Sequence, residues 1–105
     1  MEKYIQVVTT LPTKRDAERI GERLLDHLLV ACVQIVGPIE SMYWWRGKQE
    51  ISQEWILIAK TKKKLYERVE EAIKNLHPYE IPEIIAVPIV AGYKPYLDWI
   101  ESEVR

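Results

Sequence analysis

One cysteine, Cys32, is the only thiol in this 105-residue chain, which excludes an intrachain disulfide and fits a reducing compartment. An excess of either charge is also missing. Fifteen lysines and arginines nearly balance 16 aspartates and glutamates, and the formal net charge of −1 gives no general pull towards nucleic acid or an anionic membrane. Neither is expected as a partner. No apolar run approaches the roughly 20 residues of a bilayer-spanning helix. Met1-Glu2-Lys3-Tyr4 enters a strand pattern without a charged n-region and apolar h-region, so the expected location is cytoplasmic. Only four glycines occur, with no glycine-rich phosphate loop, repeat, low-complexity tract or linker. The expectation is a single domain over residues 1–105, large enough for one core without metal or disulfide staples.

The apolar pattern sets the element order. Residues 4–11 are rich in β-branched types and end at Pro12, which suits a buried first strand. Thr13, with Asp16 three residues on, resembles a capping box. Ala17, Ile20, Leu24 and Leu28 then form one helical stripe over roughly residues 13–29. Val30 to Trp45 reads as strand with a bend or bulge at Gly37-Pro38. Arg46-Gly47-Lys48 is a short connection, and Glu50 to Lys60 is a second strand with Ile51, Trp55, Leu57 and Ala59 on one face. A second helix starts near Thr61 and carries Leu65, Val69, Ala72, Ile73 and Leu76 to His77-Pro78, where the proline ends it. Residues 77–83 form an extended loop, Ile84 to Val90 a fourth strand, and Pro95 opens a C-terminal helix. The fold class is α+β, with a ferredoxin-like βαββαβ antiparallel sheet, a long hairpin between its second and third strands, and a C-terminal helix.

The hairpin carries an argument about assembly. Tyr43-Trp44-Trp45 lies at its tip, and neighbouring strand residues point to opposite faces, so Trp44 and Trp45 cannot enter one core. A strand of about 14 residues reaches about 46 Å, whereas a compact domain of this size has a radius of gyration of about 13 Å. The hairpin therefore overhangs its own core, and bare tryptophans there would aggregate. Oligomerisation that buries the tip against another copy is the expected remedy. The alternative is shorter strands, or a bend at Gly37-Pro38 that folds them back.

Ala31-Cys32-Val33, Tyr43-Trp44-Trp45-x-Gly47, Lys60-Thr61, His77-Pro78-Tyr79-Glu80-x-Pro82-Glu83 and Tyr96-Leu97-x-Trp99 occur in order along almost the whole chain. Together they resemble the CutA divalent-ion tolerance family. That resemblance implies a tight homotrimer joined through long hairpins, similar in shape to the trimeric signalling proteins of nitrogen control. It also implies a link to copper and other divalent cations. Some members carry further cysteines proposed as metal ligands; Thr9 and Ile73 stand where such residues could sit, which weakens a thiolate site here.

Three sets of candidate residues follow. For a metal, His77 offers an imidazole with Glu80 close by, and Cys32 a soft thiol. The competing readings are a helix-ending histidine and a cysteine buried as a small hydrophobe. For a small ligand or anion between subunits, Lys60, Tyr79 and Glu83 would line the cleft with the aromatic tip. For the trimer interface, the candidates are Tyr43, Trp44, Trp45 and Trp55. His27 reads as a surface residue at a helix end, and the lysines at 60 and 62–64 as a solvated face. Glu50 and Glu54 read as ordinary pairing across the hairpin; with no nucleophile or oxyanion donor beside them, an enzyme is not expected. The leading function is divalent metal binding or tolerance, copper first, by a homotrimer. A ligand-sensing trimer and a scaffold for partner proteins are the alternatives.

Overall fold

The computed structural model describes residues 3–105. Its elements are β1 (Tyr4–Leu11), α1 (Lys14–Asp26), β2 (Cys32–Trp45), β3 (Lys48–Lys62), α2 (Tyr66–Leu76), β4 (Ile84–Pro88) and α3 (Lys94–Glu103), with a 3-10 turn at Lys63–Leu65 leading into α2. The sheet order is β2-β3-β1-β4 and each neighbouring pair is antiparallel. This is the expected ferredoxin-like arrangement. Among the described residues no helix is long and apolar enough to cross a membrane.

Period-two alternation selects the core. Ile5, Val7 and Leu11 of β1 and Leu57 and Ala59 of β3 are buried on the face that receives α1 and α2. The helices contribute Ala17, Ile20 and Leu24, and Val69 and Ile73. Thr13 caps α1 as expected, its hydroxyl accepting from the Asp16 N–H at 3.0 Å. The helix stops earlier than its stripe suggests. Leu28 turns left-handed (φ 57) and is exposed, while the Leu29 N–H returns to the Leu24 carbonyl. The second helix likewise starts later than Thr61. That residue remains in β3, where its hydroxyl donates to the Leu29 carbonyl at 2.6 Å.

The bend in β2 is a bulge. Val36 pairs with Ile56 and Ile39 with Glu54, so Gly37 and Pro38, joined by a cis peptide, stand opposite Trp55 alone. A Cβ on Gly37 would lie 2.5 Å from Trp55 Cδ1; the indole occupies the space that glycine leaves. The extra residue also reverses the alternation. Val33 and Ile35 share the helix side with Ala59 and Leu57, whereas beyond the bulge Ile39, Ser41, Tyr43 and Trp45 take the opposite side. A two-residue turn, Arg46 (φ 49) and Gly47 (φ 81), closes the hairpin; this left-handed pair has the twist that hairpin strands require.

β1 pairs with β3 only over residues 55–62. Residues 48–54 and their β2 partners therefore project beyond the sheet by about 23 Å, and the molecule is drawn out to 44 × 26 × 22 Å. The predicted overhang is present. On the sheet face away from α1 and α2, α3 covers one end: its buried Ile100 lies near Glu101, which reaches Tyr4, Lys3 and Lys62. The rest of that face carries Val8, Val36, Ile56, Ile58, Ile85 and Val87. Val36 and Ile85 are each 48% exposed and Val87 43%; no element of the described chain covers them.

Candidate functional site

The loop after α2 is fixed by a histidine. His77 Nε2 lies 2.8 Å from the Thr10 carbonyl and must donate to it, while Nδ1 accepts from the Tyr79 N–H at 3.2 Å. These partners specify the neutral Nε2–H tautomer. Burial lowers the His77 pKa, opposed by the Thr10 carbonyl and by Asp16 and Glu54. With both ring nitrogens engaged, His77 is a brace at the start of the 77–83 loop, the helix-end role rather than the ligand role.

The brace aims Tyr79 across the end of β1. The two rings are 4.9 Å apart, and the Tyr79 hydroxyl donates to Glu54 Oε2 at 2.6 Å. Glu54 is only 6% exposed. The reading of Glu54 as one half of an ordinary cross-hairpin charge pair is corrected: its β2 neighbour is Ile39, and its hydrogen-bond partner comes from a loop 25 residues away. Burial, then the bond to Glu54, raises the Tyr79 pKa well above the ordinary phenol value.

Between the hairpin overhang and this loop lies a cleft of about 880 Å³. Tyr43, Trp44, Trp45 and Tyr79 form its aromatic walls, and Glu50, Glu54, Glu80 and Glu83 also border it. Arg46 closes the rim, with its guanidinium 5.2 Å from the Trp45 ring centroid and 2.9 Å from Glu80 Oε1. The expected cleft set is thus divided. Tyr79 and Glu83 border this cavity with the tip aromatics, but Lys60 lies elsewhere.

Lys60 pairs with Cys32 across β2 and β3. Its ammonium donates to Gln34 Oε1 at 2.8 Å and stands 5.7 Å from the Tyr96 ring centroid. Cys32 is half-buried, with Sγ 3.6 Å from the Tyr96 hydroxyl. Burial, then this thiol, pushes the Tyr96 phenol up to about 12. The metal candidates are therefore separated. Cys32 is level with Lys60, and His77 contacts Thr10, which is level with Ile56, four residues or about 13 Å along β3. Glu80 is committed to Arg46 at the tip. Among the described residues no group of three His, Cys, Asp or Glu side chains converges to hold an ion. Thr9 and Ile73 are fully buried in the core.

The interface candidates divide as well. Trp44 is 70% and Tyr43 41% exposed at the tip, with Trp45 partly covered beneath Arg46. Trp55 instead packs on the core and on Gly37, and it is corrected from a free interface residue to a bulge-filling one. The open sheet face was missed. Its signal lay in the even-numbered positions Val8, Ile56 and Ile58, apolar on the side the helices do not cover.

Residues 5–103 match the family model described as CutA1 divalent ion tolerance protein. The Archaeoglobus fulgidus divalent-cation tolerance protein CutA is 42% identical over 105 residues, covering all of both chains. The rice chloroplastic CutA 1 is 41% identical over 96% of this chain, which spans only 57% of that longer relative. The crystal structure of CutA1 from Oryza sativa superposes with a TM-score of 0.95 at 39% identity, covering 99% of this chain and 95% of the other.

Proposed function

The chain belongs to the CutA1 divalent ion tolerance family, and from that membership we propose that it acts in divalent-cation tolerance as a homotrimer, with copper among the ions it handles. One observation carries the assembly: an apolar sheet face lies open beside a hairpin that projects past its own core. Fully burying a Val or Ile side chain is worth about 1.5–3 kcal/mol. Covering three that are nearly half exposed would add roughly 2–4 kcal/mol per chain, before any contribution from the tip tryptophans. A second and third copy supply such a cover in register, and a closed ring leaves no apolar face over.

Single-chain geometry supports metal ligation between copies rather than within one. Cys32 and the acidic side chains of the tip are held on separate parts of the chain, and His77 has no free nitrogen. Coordination would then draw ligands from neighbouring subunits. Calorimetry with Cu(II) on the wild-type oligomer, His77→Ala and Cys32→Ser tests this. The expected result is a Cu(II) affinity unchanged within about twofold in His77→Ala and weakened in Cys32→Ser. Loss of binding in His77→Ala alone would restore the histidine as a ligand and refute the brace.

A further inference from the structure

We propose that the cleft between the hairpin overhang and the 77–83 loop binds an organic cation bearing a primary ammonium group, with Glu54 as its charge partner and the tip aromatics as its walls. The site is distinct from any divalent-ion site, and the inference does not rest on the copper reading. Three observations converge on that chemistry.

The first is Glu54 itself. It is more than nine-tenths buried, yet one hydroxyl on Oε2 is its only hydrogen-bond partner among the described residues, and none of the ion pairs there includes it. A carboxylate this far from water is short of positive charge, and it borders the cavity. The second is the sign and shape of the cleft. Four glutamates and no lysine, arginine or histidine line it, which excludes the anion expected when Lys60 was placed there. The acids are spread around about 880 Å³ and form no convergent ion-binding group, so they suit an extended cation better than a point charge. The third is the wall. Tyr43, Trp44, Trp45 and Tyr79 present ring surface, which attracts a weakly hydrated organic cation. Arg46 already sits against Trp45 and Glu80 at the rim, so the chain's own side chain displays the pairing of ring and carboxylate that the interior offers.

The test is calorimetric titration of the intact oligomer with 1,4-diaminobutane at constant ionic strength, with sodium propionate as an anionic control. Wild type, Glu54→Gln and Trp45→Leu are compared after circular dichroism confirms the fold of each. The proposal predicts saturable binding of the diamine and none of propionate. Glu54→Gln should weaken it at least about tenfold, since a hydrogen bond to a charged group is worth about 1.5–3 kcal/mol, and Trp45→Leu should weaken it about threefold or more. No saturable binding up to 10-fold above a threshold of about 1 mM, the weak end of specific affinity, would overturn the proposal. So would equal affinity in the folded Glu54→Gln variant. If Glu54 instead faces a lysine or arginine of a second copy, the diamine will not bind and Glu54→Gln will loosen the oligomer in light scattering; that result also overturns it.

Discussion

Replacing Tyr79 with phenylalanine removes one oxygen and leaves the ring against His77. That oxygen donates to Glu54 Oε2 at 2.6 Å, and Glu54 is 6% exposed. Little water is available to replace it. A hydrogen bond to a charged partner is worth about 1.5–3 kcal/mol, and stranding a buried acceptor costs a similar amount, so Tyr79→Phe should destabilise the fold by about 2 kcal/mol. For a domain of this size that lowers Tm by roughly 8–16 °C, measured at one fixed protein concentration because an oligomer's Tm depends on it. Glu54→Gln keeps an acceptor for the hydroxyl and should cost about 1 kcal/mol. A double-mutant cycle should return a coupling of at least about 0.5 kcal/mol. The phenol adds a pH signature. Its folded pKa is raised above the unfolded value of 10.0, so its contribution is complete below pH 10 and is lost as pH rises beyond it. Tyr79→Phe should abolish that alkaline loss. A Tm change below about 2 °C, or no coupling with Glu54, would refute the account of the loop as locked through this bond.

Gly37→Ala places a methyl group 2.5 Å from the Trp55 ring and should cost about 1–3 kcal/mol, with a changed tryptophan near-ultraviolet signal; unaltered melting and spectrum would refute the bulge packing. Glu101 holds α3 to the sheet through Lys3 and Lys62, and these partners depress its pKa to about 2 from 4.5. The depressed value makes its contribution present above pH 4.5 and lost as pH falls towards about 2. Glu101→Gln should therefore remove stability at pH 7 and flatten the acid limb of the melting curve; an unchanged acid limb would show that the clasp is not formed.

The order βαββαβ, the hairpin and its overhang were legible because each rests on local period or length. Ala17, Ile20 and Leu24 mark α1 by spacing alone, and β2 and β3 are long whatever their surroundings. What failed was decided by tertiary contact. Leu28 continues the helical stripe, but the chain needs a left-handed residue there to return Leu29 to the core. Thr61 looks like a helix start, yet its hydroxyl is taken by the Leu29 carbonyl. Lys60, His77 and Cys32 were sorted into sites by chemical type, and strand register then placed them at different levels of the sheet. Glu54 was underrated for the same reason: its partner lies in a loop that only the fold brings near. Trp55 carried a real signal of surplus aromatic surface, but the glycine opposite it provides the space.

The central claim is that the open sheet face is closed by two further copies of the chain. Light scattering of the wild type and of Ile85→Lys at micromolar concentration tests it most directly, since Ile85 is nearly half exposed at the centre of β4 on that face. An unpaired lysine buried there would cost several kcal/mol. The account predicts a wild-type mass three times that of the 12.4 kDa chain and a lower mass for the variant. A wild-type mass of one chain, or a trimer indifferent to the lysine, would contradict it.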